Sequence, residues 1–302
     1  MLAKPVSELT EKRPLIAWVY LCTMALVWGS SFILIKRSLD AFTPQQVAAG
    51  RIFLAFLFFV PFQAYQIRQP DVRTSVRRQG PYLLAVGLTG FLLPAYLFAI
   101  AGAHINSSLS GALNSLSPLF TLLIGALFFG NRVPMRQTVG ILLGLAGSIL
   151  LVFFSATGEF SVNAYALLVV GATVCYGINT NLIGRYIRHM PALVSTAWIF
   201  FFIGLIALGA LLFTDVWARA GRPENSLALL ALATLGVLGS GLMSILFNRV
   251  VQLASPLFAA SVTYLIPIVA LLWGILDGEQ IYAVQYAGMA VCLLGIYLTN
   301  KS

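Results

Sequence analysis

The sequence predicts an all-α integral membrane protein: ten transmembrane helices arranged as two inverted five-helix repeats. Three observations carry that expectation: the composition, a succession of ten apolar runs, and a self-match at a fixed offset. Of 302 residues, 60% are apolar and only 9% are charged. Soluble domains carry about 45–50% apolar and about 25% charged residues. A soluble fold of this chain would lack the polar surface to cover its core, whereas helices in lipid can bury apolar side chains on every face.

A helix needs about 20 mostly apolar residues to span a bilayer. On that template the first half spans at about Leu15–Ile35, Pro44–Tyr65, Gly80–Ala101, Ile105–Phe129 and Met135–Phe154. The second half spans at Val162–Gly184, Pro191–Phe213, Ser226–Phe247, Ala254–Leu276 and Tyr282–Thr299. Residues 1–14 form a polar leading segment, and the repeats occupy 15–155 and 162–299. Lys4, Lys12 and Arg13 lead straight into a full-length apolar run with no small-residue cleavage site, which reads as an uncleaved first helix.

Orientation follows from where Lys and Arg fall. With the N-terminus cytoplasmic, inside segments hold thirteen of the basic residues and outside segments four, so both termini are expected in the cytoplasm. The net charge of +9 is spread over short loops, which suits lipid headgroups and excludes a nucleic-acid surface. Membrane lipid and a small-molecule substrate are the expected partners.

The repeat is read from matched residues. At an offset of 148, Gln137 falls on Gln285, Gly140 on Gly288, Gly147 on Gly295 and Gly130 on Gly278. VWGSSF (27–32) falls on CYGINT (175–180), and one residue of slippage brings Pro118 onto Pro267. Five is odd, so two copies in one order must face opposite ways across the membrane. Inverted repeats with a midplane site between them are the usual build of secondary transporters.

With WGSSF followed by Lys36, the Pro44-to-Arg51 helix opening, SLSP with its downstream GNRV, and the counterparts YLIP and DGEQ, the chain resembles the drug/metabolite transporter superfamily, specifically its ten-helix EamA family. The resemblance covers about residues 15–299 and implies a bacterial inner-membrane transporter, often an exporter of amino acids or related metabolites. It implies a central cavity lined by the first four helices of each half, with the fifth helices packing the halves together. One departure stands out: Glu279 follows the fourth helix of the second half, but Asn131 takes that place in the first. Small four-helix members use an acid in their first helix, where this chain offers only Trp28, Ser30 and Ser31, so carboxylate exchange is not expected.

Candidate substrate-binding residues are polar or aromatic side chains at span depth. Arg51 stands about 10 Å into the second helix at 1.5 Å per residue. It has two readings, a contact for a substrate carboxylate or a packing residue tied to helix-end carbonyls or a loop acid. Pro118 and Pro267 interrupt helices four and nine, freeing backbone carbonyls beside Asn114, Ser115, Ser117, Thr263 and Tyr264. Trp28, Ser31, Tyr96, Tyr176, Asn179 and Trp198 complete the candidates, with hydrogen bonding between helices as the alternative for Asn179, Thr180 and Asn181. Lys36 lies at the end of the first helix, where it can snorkel to the interface, and is read as structural rather than substrate-binding. Gly140 and Gly144 form a GxxxG seam, while Gly29, Gly177 and Gly236, Gly239 and Gly241 are read as flexible points.

Cys22, Cys175 and Cys292 sit singly in apolar runs, His104 and His189 have no neighbouring ligand set, and no phosphate-binding loop occurs, so no metal or other cofactor is expected. An intramembrane enzyme would need paired acids, a Ser/His pair or a metal triad at depth, so an enzyme is not expected. The expected function is secondary transport of a small amino-acid-like or amphipathic metabolite, outward, by alternating access. Alternatives are a uniporter or importer of nucleoside-like or modified-amino-acid solutes, and a non-transporting scaffold. Two halves in one chain permit a monomer.

Overall fold

The computed structural model describes residues 15–130, 135–153, 163–253, 259 and 261–300. The N-terminal segment, Asn131 and the second-half connection at 154–162 lie outside them, as do the side chain of Tyr264 and the start of the ninth run.

Ten spans follow in order. They are α1 (Leu15–Leu39), α2 (Pro44–Gln66), α3 (Pro70–Gly102), α4 (Ser107–Phe129) and α5 (Met135–Phe153), then α6 (Ala164–Ile187), α7 (Ala192–Leu212), α8 (Pro223–Val250), α9 (Ile266–Leu276) and α10 (Ala283–Asn300). Among the described residues seven helices are long and apolar enough to cross a membrane unaided, and the shorter apolar helices fall in α5, α9 and α10. The chain is therefore an all-helical multi-pass membrane protein of the expected class.

Local sequence explains the boundaries. Pro44 opens α2, where its missing N–H costs nothing, and Thr43 and Gln46 cap each other's backbone in a capping box. Gly130 and Gly278 end α4 and α9 with left-handed φ of 71° and 74°, a conformation that glycine adopts without a Cβ penalty. One boundary differs from the sequence expectation. Helix α3 begins at Pro70 instead of Gly80, so the basic stretch of Arg73, Arg77 and Arg78 is helical rather than loop. Hydropathy marks only the part of a helix that lipid can hold; the helix itself runs on into water.

The halves interlock reciprocally. Helix α1 packs on α9 as α6 packs on α4, and α5 runs against α10. Glycine permits each crossing. A Cβ on Gly29 would come within 2.5 Å of Val269, and one on Gly177 within 2.7 Å of Phe120 backbone. Gly147 faces Cys292 and Gly288, while Gly295 faces Gly144 and Gly140. Every partner of one set maps onto the other at 148 or 149 residues, so the repeat seen in sequence is a real two-fold in space. Gly29 and Gly177 are thus sites of close approach, not the flexible points expected.

Among the described residues three stretches wind as π-helix: Leu88–Leu92 in α3, Ile183–Ile187 in α6 and Leu235–Leu242 in α8. Such segments shift the backbone register by one residue and are frequent at functional sites.

Candidate functional site

A cavity of about 180 Å³ lies between the halves. Its walls come from α1–α4 of the first half and α6–α8 of the second, with Val262, Thr263 and Ile266 at the start of α9. Pro118 and Pro267 each sit just after a break in winding. Helix α4 pauses at Ser115–Leu116, and a 3-10 turn at Ser261–Tyr264 leads into α9.

Of the residues singled out from sequence, Trp28, Ser31, Arg51, Asn114, Ser117, Tyr176, Asn179 and Thr263 come together on this cavity. Tyr96 and Trp198 do not line it: Trp198 is 6% exposed and packs edge-on against Phe201 at 5.1 Å. Helical periodicity turns each away by a fraction of a turn that spacing alone could not resolve. Tyr264 lies on the 3-10 turn, its side chain outside the described residues.

Several polar groups in the wall are tied to named partners. Trp28 Nε1 donates to the Gly239 carbonyl at 2.8 Å, tying α1 to the π segment of α8. Arg51 Nε donates to Ser240 Oγ at 3.0 Å. Ser117 Oγ donates to the Asn114 carbonyl at 2.7 Å, which the proline break leaves available. Asn181 donates to both Thr121 and Gly177 carbonyls at 2.9 Å, so it fastens α6 to α4 and takes the helix-packing role. Asn179 instead faces the cavity, its Oδ1 buried without a partner.

Sequence reasoning missed Phe91, Phe98, Ser240, Ser244, Phe247 and Asn248, all in the wall. Ser240 had a signal, since it sits inside the Gly236–Gly241 run; the phenylalanines had none in a chain with 21 of them.

The two ends of the cavity differ. Towards the α6–α7 loop it shares Thr180, Ile183, Phe247 and Asn248 with a second hollow of about 220 Å³, which reaches Arg188 and Met190. At the far end, beyond Phe32 and Ile35, a charge cluster closes the space. Glu279 accepts from the backbone N–H and hydroxyl of both Ser107 and Ser108, at 2.8–3.1 Å, capping the start of α4. Lys36 Nζ bridges Glu279 at 3.1 Å and Asp277 at 2.5 Å, and Arg37 also pairs with Asp277. The side chains of Asp277 and Glu279 are only 8% and 2% exposed. Two buried carboxylates hold Lys36, a structural role of the kind expected. Burial pushes the Glu279 carboxyl upward, but the hydrogen bonds from Ser107 and Ser108 outweigh it and hold the group at about 2.

Comparison with known proteins fits this architecture. A probable amino-acid metabolite efflux pump of Salmonella typhimurium is 24% identical over 288 residues, covering 91% of each chain. The uncharacterized inner membrane transporter YedA of Escherichia coli is 25% identical, covering 93% of this chain and 89% of that one. An uncharacterized transporter of Archaeoglobus fulgidus is 24% identical, covering 94% and 98%. A crystal structure superposes with a TM-score of 0.63 over 94% of this chain and 96% of that one, at 20% identity, which bears on fold alone. Residues 15–153 and 163–301 both match the EamA-like transporter family. The chain belongs to that family, within the drug/metabolite transporter superfamily, and is a membrane transporter.

Proposed function

We propose that this protein is a secondary transporter of a bacterial inner membrane, moving a small amphipathic or amino-acid-like metabolite outward by alternating access through the central cavity. One observation carries the reading: the cavity is bounded by both repeats, continuous with a hollow at one end and closed at the other by charges that join the repeats. With both termini cytoplasmic, as the basic loops favour, the open end faces the cytoplasm and the Lys36–Asp277–Glu279 cluster closes the outer mouth. Opening the outer mouth then means parting α1 and α4 from the α9–α10 corner, while α5 and α10 keep the halves together. The named efflux pump among the relatives supports the outward direction.

The test is flux in proteoliposomes, with cysteines placed at Arg37 and Asp277 and the three native cysteines replaced by alanine. Bridging the pair with a short, reducible thiol cross-linker should stop flux, and reduction should restore it. Flux that continues through the cross-link would refute the gate, and a chain that carries no solute at all would return the scaffold reading.

A further inference from the structure

We infer that the cargo is an organic carboxylate with an apolar body, and that the guanidinium of Arg51 is its counter-ion. The inference rests on the transporter reading and sharpens it to a substrate charge.

Arg51 is held in place without being neutralised. Its Nε is engaged by Ser240, and that hydroxyl in turn donates to the Leu235 carbonyl at 3.3 Å inside the π segment of α8. One edge of the guanidinium is thereby fixed. Among the described residues the ion pairs are made by Lys36, Arg37 and Arg219, and none by Arg51. Asp215, the acid beyond the opening of α2 on the α7–α8 connection, is already bound by Gln46 and Arg219. Among the described residues the carbonyls or loop acid that would make Arg51 a packing residue are therefore not its partners, and its two terminal nitrogens have no protein acceptor.

A cation at membrane depth is costly until an anion or water joins it. The planar guanidinium fork fits a carboxylate with two parallel hydrogen bonds, which a lysine ammonium could not reproduce. The same cavity carries an aromatic set, Trp28, Phe91, Phe98 and Tyr176, with Asn114 and Asn179 among its uncharged polar groups. Its described lining holds no Asp or Glu to take an ammonium. The recognised charge is thus the carboxylate, and an α-amino group is not needed. About 180 Å³ is room for one small ring, since an apolar cavity of roughly 150 Å³ admits benzene.

The experiment is a charge series on one body: 3-phenylpropionate, its amide, phenylethylammonium and phenylalanine, each read by thermal stability of the purified full chain. The carboxylate should bind at least tenfold tighter than the amide or ammonium, a difference of about 1.4 kcal/mol. Phenylalanine should gain nothing over 3-phenylpropionate. Arg51→Gln should erase the difference between carboxylate and amide, while Arg51→Lys keeps part of it. If Arg51→Gln does not fold, Ser240→Ala, which frees the guanidinium, should narrow the same difference. Equal shifts from carboxylate and amide, a preference for the ammonium, or no shift from the carboxylate would overturn the inference in wild-type protein alone. Counterflow of labelled 3-phenylpropionate separates the two readings. Binding without flux keeps the anion site and removes the transporter; flux of neutral or cationic solutes with no carboxylate preference does the reverse.

Discussion

The fourth helix of each repeat ends on the same backbone device, but the residues that flank it differ in chemistry. The device is a left-handed glycine, Gly278 and Gly130, at matching places in the two repeats. Around Gly278 stand Asp277 and Glu279, which seize Lys36, Arg37 and the start of α4. Around Gly130 the sequence puts Phe129 and Asn131, which carry no charge. An inverted repeat supplies two mouths from one blueprint, and among the described residues the buried ion-pair cluster stands at the α9–α10 mouth. The difference teaches how a symmetric fold can acquire unlike ends: the helix-ending glycine is shared, and the side chains beside it are not.

The comparison assumes that the two-fold holds elsewhere, and the most damaging test is at the α5–α10 seam. A Cβ on Gly147 would meet the Cys292 backbone nitrogen at 2.6 Å and the Gly288 carbonyl at 2.8 Å. Backbone cannot yield as a flexible side chain does, so Gly147→Val should cost about 3 kcal/mol or more. Gly209→Ala, inside α7 where nothing lies within 4 Å, should leave the unfolding temperature unchanged or raise it slightly. Equal effects at the two sites would break the seam argument.

Next in size is the cluster itself. Glu279→Gln removes the charge and sets an amide N–H2 group against serine donors. Hydrogen bonds to a charged group contribute about 1.5–3 kcal/mol each, so a loss of about 2 kcal/mol is expected, measured by thermal unfolding. Labelling of a cysteine at Ser107 from outside should rise together with that loss. Unchanged labelling would mean that the cluster caps α4 without closing anything.

The mirror experiment is Asn131→Glu, which puts a carboxylate at the place that matches Glu279. The offset of 148 carries Ser107 to Ser255, so a similar hydroxyl is available in sequence. An anion near a helix N-terminus contributes about 0.3–1 kcal/mol, enough for a few-fold shift in labelling from the inner side. If both corners respond alike to Glu, charge sets the bias; if not, the sides differ in packing as well.

The smallest effect is in pH. Glu279 is depressed from an ordinary 4.5 to about 2 in the folded protein. A depressed carboxylate stabilises fully above its unfolded value and loses that contribution as pH falls towards the folded one. Labelling at the outer mouth should therefore be flat near neutrality and rise only as pH drops from 4.5 towards 2. A rise near pH 6 would assign the effect to another group.

Much of the site was legible for a simple reason. A polar side chain at membrane depth is rare and must face the interior, so Arg51, Asn114 and Asn179 announced themselves, and the duplicated prolines marked where α4 and α9 open. Ser240 and Phe98 were not legible, because a serine among glycines and one phenylalanine among many carry no depth signal. Trp198 misled for the converse reason: a matching place in a repeat fixes a helix, not the side of it that faces the cavity. Asn181 and Asn179 sit two residues apart, yet one binds carbonyls of α4 and α6 and the other faces the cavity.

By itself the sequence determined that the chain lives in a bilayer, crosses it ten times and repeats itself, because lipid imposes apolar runs of fixed length and duplication leaves glycines at a constant offset. Tertiary structure alone decided that Glu279 caps a helix 172 residues away and that Lys36 bridges two acids of the other repeat. It also decided that three helices wind as π segments beside the cavity. Those features depend on which side chains meet across the two-fold, and a contact between distant residues has no local pattern to betray it.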